Sequence, residues 1–308
     1  MKINSLKYKM LKTNLTLLFT TIVFLFSFQN KPLYSQDLDP DDIRKIMLEG
    51  IENMEKENYR SAIELFDRGR NNLNNLAIKI DEKNANIVKS LELTRQAESL
   101  INQNDYSSAL DLLNEAIQLD NNNIEAYKFR GSVRLILEQR IDRRRDQDYI
   151  SLLNDYTNAI RIVDRRINQT QRRAQERVEL EKEKAKILIN RAYVKMQSRR
   201  LTSFHSAIDD YTEAVRYDDQ NWDGYLGRAV AYNRISEHSR EIRDYLRAIE
   251  LIEEYQHRLS DEEWADLYLR LAMAYVSNRD NRNAFIYAEK SYNLGNTEAE
   301  KIMERTRP

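Results

Sequence analysis

Cysteine is absent from this sequence of 308 residues, and proline and glycine are scarce, with 3 and 6 residues. Without cysteine the chain can form no disulfide, no thiolate metal site and no cysteine nucleophile. No proline occurs between Asp41 and Arg307. Because sandwiches and barrels need many tight turns rich in these two residues, their scarcity argues against such folds and favours a chain that runs helix after helix.

An excess of charge of one sign is also lacking, since 49 Lys and Arg face 50 Asp and Glu. This balance provides no global attraction to nucleic acid or to an anionic membrane. The distribution is nevertheless uneven. Residues 140–200 carry 17 basic and 9 acidic side chains, whereas residues 36–139 and residues 201–308 each have a net charge of −7.

The amino terminus has the order of a secretory signal peptide. Four lysines within the first twelve residues precede Leu15–Phe28, fourteen residues without a charge. This segment is short for a membrane span, which needs about 20 residues. The sequence therefore predicts a signal peptide over residues 1–35, with an uncleaved membrane anchor as the alternative, and a short linker over residues 36–42. Export of a cysteine-free chain fits a bacterial periplasm or the cell exterior.

A repeated pattern of small residues runs through the rest of the chain. In each copy, small residues recur seven positions apart with a large residue between them, an arrangement that lets two antiparallel helices approach closely. The clearest copies are Ala62, Phe66 and Gly69, then Ala109, Leu113 and Ala116, and then Ala207, Tyr211 and Ala214. A preceding amphipathic run has its own small residue, at Gly50, Ala97, Gly131, Ala192, Ala229 and Ala272.

This pattern resembles the tetratricopeptide repeat (TPR), a hairpin of two helices, A and B, with a period of 34 residues. Six units begin near Ile43, Ser90, Ile124, Ala185, Trp222 and Ala265. The resemblance implies an all-α fold, an α-α superhelix in which about six hairpins form a right-handed solenoid over residues 43–308 with a C-terminal capping helix. The proline of the typical repeat is replaced by Asn121, Asp219 and Asn296, whose side chains suit helix capping.

The unit spacing indicates two insertions, near residues 138–150 and 164–184. The first is interpreted as a longer turn after the third helix A. The second belongs to a charged stretch over residues 161–183, which is interpreted as a helix B that extends beyond its neighbours.

Residues for catalysis or metal binding do not form a recognisable pattern. The histidines His205, His238 and His257 do not share a helical turn, and turn positions explain them better than ligand roles. The segment from Asp219 to Gly224 matches half of a calcium loop, but Val230 stands where the bidentate glutamate is required. We therefore expect no catalytic residue, no metal and no cofactor in a non-enzymatic protein.

The resemblance also implies a binding surface, because the A helices of such solenoids line a concave wall that holds an extended peptide or a partner's helix. The predicted inward residues are Lys128, Ser132, Lys186, Asn190, Tyr193, Gln197, Asn233 and Arg234. These polar and basic side chains suit a partner that carries carboxylates. They do not complete the carboxylate clamp of some relatives, since Asp223 and Gly227 occupy positions of its third repeat.

The basic centre is a second candidate surface. Its arginines are Arg143, Arg144, Arg145, Arg165, Arg166, Arg172 and Arg173. They form either a docking patch for an acidic protein or polymer, or a solvated helix face with ion pairs four residues apart. Nucleic acid is disfavoured, because no stacking aromatics alternate with these arginines.

The sequence thus predicts an exported scaffold that binds a protein or peptide partner, with a role in envelope assembly or secretion. Two alternatives stay open. One is an accessory subunit of an envelope enzyme complex, and the other is a solenoid that binds glycans or small molecules through some of its 18 tyrosines.

Overall fold

The structure, a computed structural model, describes residues 40–56, 58–139, 146–170, 175–197, 201–255, 257 and 259–307. These residues form twelve helices and no strand. The helices are α1 (Pro40–Glu55), α2 (Tyr59–Asn102), α3 (Tyr106–Leu119), α4 (Ile124–Gln139), α5 (Asp146–Gln169), α6 (Gln175–Met196), α7 (Leu201–Tyr217), α8 (Trp222–Arg234), α9 (His238–Glu254), α10 (Asp261–Ser277), α11 (Asn281–Asn293) and α12 (Ala299–Thr306). The predicted signal peptide lies outside the described residues.

The chain divides into two compact units, with the boundary between Val88 and Lys89, inside α2. In the first unit, α1 packs against the first half of α2 through glycine. A Cβ added at Gly50 would lie only 2.7 Å from Cε1 of Phe66. A Cβ added at Gly69 would lie 2.6 Å from Sδ of Met47. The first predicted hairpin is therefore closely packed where the small residues predict it.

The second unit is a succession of helical hairpins, in which each helix from α3 to α12 contacts the next along the chain. The end of α2 pairs with α3, followed by the pairs α4 with α5, α6 with α7, α8 with α9 and α10 with α11. The A helices α6 and α8 also contact each other directly. Together with the absence of strands in the described ranges, these hairpins confirm the predicted all-α helical repeat fold.

Alanines form the contacts within and between the hairpins of the second unit. Ala97, Ala109 and Ala116 have no exposed surface and share one apolar cluster with Leu113. The fourth repeat is packed in the same way, with Ala192 of α6 in one cluster with Ala207 and Tyr211 of α7. Because a small residue permits close backbone approach and a large one fills the groove beside it, the alanine spacing determines the pairing.

Three of the turns between helix A and helix B share one backbone feature. Asn104, Ser236 and Arg279 have φ angles of 62°, 60° and 63°, in the left-handed region. Each of the three precedes the first residue of its helix B by two positions. The following helices α3 and α11 are capped by Asp105 and Asp280, whose carboxylates accept hydrogen bonds from backbone N–H groups. These three hairpins therefore turn without glycine at this position.

The two predicted insertions correspond to different features. Helix α4 ends at Gln139 and α5 begins at Asp146, so the first insertion lies largely outside the described residues. The charged stretch 161–183 is divided, because α5 ends at Gln169 and α6 begins at Gln175. It therefore supplies the end of α5 and the start of α6. Helix α5, with 24 residues, is longer than the B helices α3, α7, α9 and α11, but it does not continue through the whole charged stretch.

The carboxyl-terminal helix covers the last hairpin. Ala299 in α12 has no exposed surface and packs in a cluster with Leu269, Ala272 and Ala288. This arrangement agrees with the terminal capping helix that a solenoid needs. Among the twelve helices, none is both long and apolar enough to cross a bilayer.

Candidate functional site

Three of the predicted groove residues lie together on an exposed face of helix A in the fourth repeat. Lys186, Asn190 and Tyr193 are spaced by four and three residues on α6, and all three are exposed. Tyr193 leaves 47% of its surface accessible, although large aromatic side chains are usually buried in a packed helical layer. The face thus presents a cation, an amide and an aromatic ring within two helical turns.

Lys128 has a different environment from these three residues. Its ammonium lies 2.8 Å from a carboxylate oxygen of Glu125 and 2.5 Å from one of Glu183, so it joins α4 to α6. These two carboxylates raise the pKa of Lys128 against the opposing effect of its burial. Its charge is therefore neutralised within the protein.

The other predicted groove residues lie on α4, α6 and α8. The Ser132 hydroxyl is 3.3 Å from the hydroxyl of Tyr156. Asn233 donates a hydrogen bond of 3.0 Å from Nδ2 to Oε1 of Glu241. Arg234 is exposed at the end of α8, and Gln197 follows α6 and is half-buried. The structure therefore leaves five members of the set exposed, namely Lys186, Asn190, Tyr193, Asn233 and Arg234.

A tyrosine from helix B of the fourth repeat reaches the A helices. A Cβ added at Gly227 of α8 would lie 2.3 Å from Cε1 and 2.7 Å from Oη of Tyr211. Burial is the main cause that raises the pKa of Tyr211, and Tyr193, Asp210 and Asp223 raise it further, in that order. Glycine at position 227 thus opens a slot for the Tyr211 hydroxyl on α8, one helical turn after Asp223.

Buried aspartates on the B helices form a feature that sequence reasoning missed. Asp155, Asp210 and Asp244 are 1%, 4% and 4% exposed. Each binds an arginine of helix A in its own hairpin through both carboxylate oxygens. The pairs are Arg130 with Asp155, Arg191 with Asp210, and Arg228 with Asp244.

The same three arginines also reach the preceding hairpin. Each donates a further hydrogen bond through Nη1 to helix B of the previous repeat. The pairs are Arg130 with Asn114, Arg191 with Thr157, and Arg228 with Thr212. One guanidinium therefore connects three helices from two repeats, which suits its rigid fork of donors. All three B helices share an Asp-Tyr sequence with an alanine three residues after the tyrosine, and this is the signal that could have revealed the arrangement.

The basic centre is partly neutralised by similar contacts. Lys184 is 5% exposed and its ammonium lies 2.8 Å from carboxylates of both Asp164 and Glu213. Its hydrogen bonds to these carboxylates raise the pKa of Lys184, although burial opposes them as the largest single effect. Several cations counted in residues 140–200 are therefore paired with carboxylates from residues 201–308.

Only part of the predicted basic docking patch can be described. Arg165 donates to Oδ1 of Asn122 over 3.1 Å, and Arg166 contacts the Asn122 carbonyl at 3.4 Å. Both arginines are exposed beside the turn between α3 and α4. The remaining patch residues, Arg143, Arg144, Arg145, Arg172 and Arg173, lie outside the described residues.

The histidines remain separate in the structure. His205 is exposed on α7, and His257 follows α9 with its ring 5.9 Å from that of Trp222. His238 begins α9, where Nδ1 lies 2.9 Å from Oε2 of the buried Glu241. Within the described ranges, no group of three His, Asp or Glu side chains is placed to hold a metal ion.

Comparison with known proteins rests on structure alone, since no protein-family model and no curated protein match this sequence. The chain is similar to YrrB, a TPR protein with an unusual peptide-binding site, at a TM-score of 0.50 and 13% identity, covering 75% of this chain and 97% of that one. The chain has a tetratricopeptide-repeat fold. In this TPR fold, the exposed face of α6 belongs to helix A of a repeat.

Other solved structures resemble this TPR chain less closely. MamA is 16% identical with a TM-score of 0.46, covering 69% of this chain and 94% of that one. A thermophilic TPR protein of Thermus thermophilus, TTC0263, is 15% identical with a TM-score of 0.39, covering 70% and 96%. At such low identity these likenesses concern the fold alone.

Proposed function

We propose that this protein is a non-enzymatic scaffold that binds a peptide segment of a partner protein along the exposed face of its A helices. The observation that carries this proposal is the exposure of Lys186, Asn190 and Tyr193 on one face of α6. The peptide-binding site named for the similar protein YrrB supports it. An exposed aromatic ring beside polar groups is typical of the residues that anchor interfaces.

The partner segment carries a carboxylate that contacts Lys186. The neighbouring cations Arg191 and Lys195 are bound by Asp210 at 2.7 and 2.6 Å, so they are not available to a ligand. Lys186 projects from a different face and is exposed. A charged contact at the rim of an interface mainly affects association rate and salt dependence.

The test is selection of binding peptides from a random phage-displayed library on the full chain, followed by affinity measurements with one selected peptide. Tyr193→Ala should weaken binding about tenfold, because a central aromatic anchor contributes more than its neighbours. Lys186→Glu should weaken binding of a peptide that contains an acidic residue and reduce its salt dependence.

Matched controls lie on B helices. Arg243→Glu makes the same change of sign on an exposed position of α9, and Tyr292→Ala removes a ring that is 41% exposed on α11. Both should leave the affinity unchanged. If the controls and the α6 variants weaken binding equally, or if no peptide is selected, the proposed surface is wrong.

We also propose that the protein is exported and acts in envelope assembly or secretion. The support is the lysine-rich start followed by the uncharged segment Leu15–Phe28. Sequencing of the amino terminus of the protein isolated from its cells should give a chain that begins at Gln36. Recovery in the cytoplasmic fraction with Met1 retained would contradict export, whereas retention of residues 1–35 in the membrane fraction would indicate an anchor.

A further inference from the structure

The exposed face of α6 is continued by a small cluster of side chains from three helices. Tyr193 comes from α6, Tyr211 from α7 and Asp223 from the first turn of α8. Tyr193 and Asp223 are exposed, whereas Tyr211 is 3% exposed. The direct contact between α6 and α8 brings these elements together.

Tyr211 forms the inner side of the cluster. Its ring fills the slot at Gly227, where a Cβ would lie 2.3 Å from Cε1 and 2.7 Å from the hydroxyl oxygen. Even alanine at this position would therefore displace the ring. The hydroxyl end of Tyr211 therefore lies at Gly227, one helical turn after Asp223 on α8. A Cβ added at Gly224 would lie 3.5 Å from Cδ1 of Ile189, so α6 passes this end of α8 one turn before Tyr193.

Within the described residues, Asp223 forms no salt bridge with a lysine or an arginine. The two α6 cations that follow Asn190, Arg191 and Lys195, are both held by Asp210. Partial burial raises the pKa of the Asp223 carboxyl, and only His257 opposes this effect. A carboxylate that has lost part of its hydration without gaining an ion pair is stabilised by any cation brought to it.

We propose that Tyr193, Tyr211 and Asp223 form a subsite for one positively charged side chain, lysine or arginine, of the partner segment. The cation lies against the exposed Tyr193 ring and pairs with the Asp223 carboxylate, while the Tyr211 hydroxyl accepts a hydrogen bond. This inference rests on the proposed function and specifies the chemistry of its ligand.

The subsite explains why two positions depart from a carboxylate clamp. Where such a clamp needs groups that attract a carboxylate, this chain has Asp223, which repels one. Gly227 provides no side chain, but it admits the ring of Tyr211. The partner segment therefore presents a cation at Asp223 and an anion at Lys186. Because these two charges have opposite signs, they also determine the orientation of the segment along the groove.

The experiment compares random peptide libraries selected on the full wild-type chain and on Asp223→Asn. This variant removes the charge and retains the shape, so circular dichroism and thermal unfolding should match those of the wild type. Peptides from the wild-type selection should be enriched in lysine or arginine at one position of the aligned motif, and this enrichment should disappear with Asp223→Asn. Asp219→Asn, an exposed carboxylate in the turn before α8, is the matched control and should retain the enrichment.

A charge exchange completes the test with one synthetic peptide from the wild-type selection. Asp223→Asn should weaken its affinity about tenfold or more, as expected when a charge-assisted hydrogen bond is lost. Asp223→Lys should bind the peptide poorly and regain affinity when the peptide's cation is replaced by glutamate.

The outcomes separate this inference from the proposed function. Peptides that bind at Tyr193 without any preference for lysine or arginine, or with a preference that survives Asp223→Asn, overturn the cation subsite and leave peptide binding intact. A selection that yields no binding peptide on the wild-type chain overturns both.

Discussion

Replacing Asp210 with alanine should destabilise the protein by about 3 kcal/mol, because it leaves two partly buried cations without their counter-ion. Arg191 binds both carboxylate oxygens of Asp210, and Lys195 lies 2.6 Å from one of them. The side chains of the two cations are only 18% and 15% exposed. Urea unfolding followed by circular dichroism should show a lower midpoint.

The adjacent residue provides the control for this prediction. Asp209→Ala removes the same charge from the same helix, but Asp209 is exposed whereas Asp210 is buried. Surface changes of this kind usually alter stability by less than about 0.5 kcal/mol. Equal losses for the two variants would show that net charge, rather than the bridge to Arg191 and Lys195, determines the effect.

Ala109→Glu should have a still larger effect and prevent the second hairpin from packing. Ala109 has no exposed surface and lies in one cluster with Ala97 and Leu113. Glutamate would place both excess volume and an unpaired charge between close backbones, and together these cost more than about 4 kcal/mol. Thermal unfolding should begin at a much lower temperature, with loss of helical signal.

The neighbouring Ser108→Glu tests whether burial is the cause. Ser108 is exposed in the first turn of α3, where a negative charge is favoured by the helix dipole. This variant should be as stable as the wild type or slightly more so. A stable Ala109→Glu protein would mean that α2 and α3 are paired in a different register.

Most of the fold could be predicted from the sequence because its determinants are local. Small residues repeated every seven positions specify which face of a helix is packed, and Ala109 and Ala116 are indeed buried in the predicted manner. The starts predicted at Ile124 and Trp222 coincide with the first residues of α4 and α8. Helix periodicity and packing faces follow from neighbouring residues, so a single sequence contains them.

The polar contacts could not be predicted in the same way, because each depends on residues from different helices. Counting charges in windows assigns Asp210 and Glu213 to an acidic segment and Arg191 and Lys184 to a basic one. In the structure these residues neutralise each other. The two groove lysines differ for the same reason. Glu183 of another helix binds Lys128, whereas Lys186 is exposed, and neither outcome follows from the local sequence.

The left-handed turn residues have a consequence for how such proteins evolve. Asn104, Ser236 and Arg279 adopt the same backbone conformation with three unrelated side chains. A non-glycine residue in this conformation costs about 1 kcal/mol, which the packing of the adjoining hairpin can absorb. Mutation can therefore erase the residues by which a repeat is usually recognised while its architecture persists. In this chain, the conformation of the three turns is therefore a more constant mark of the repeat than the identity of the residue that adopts it.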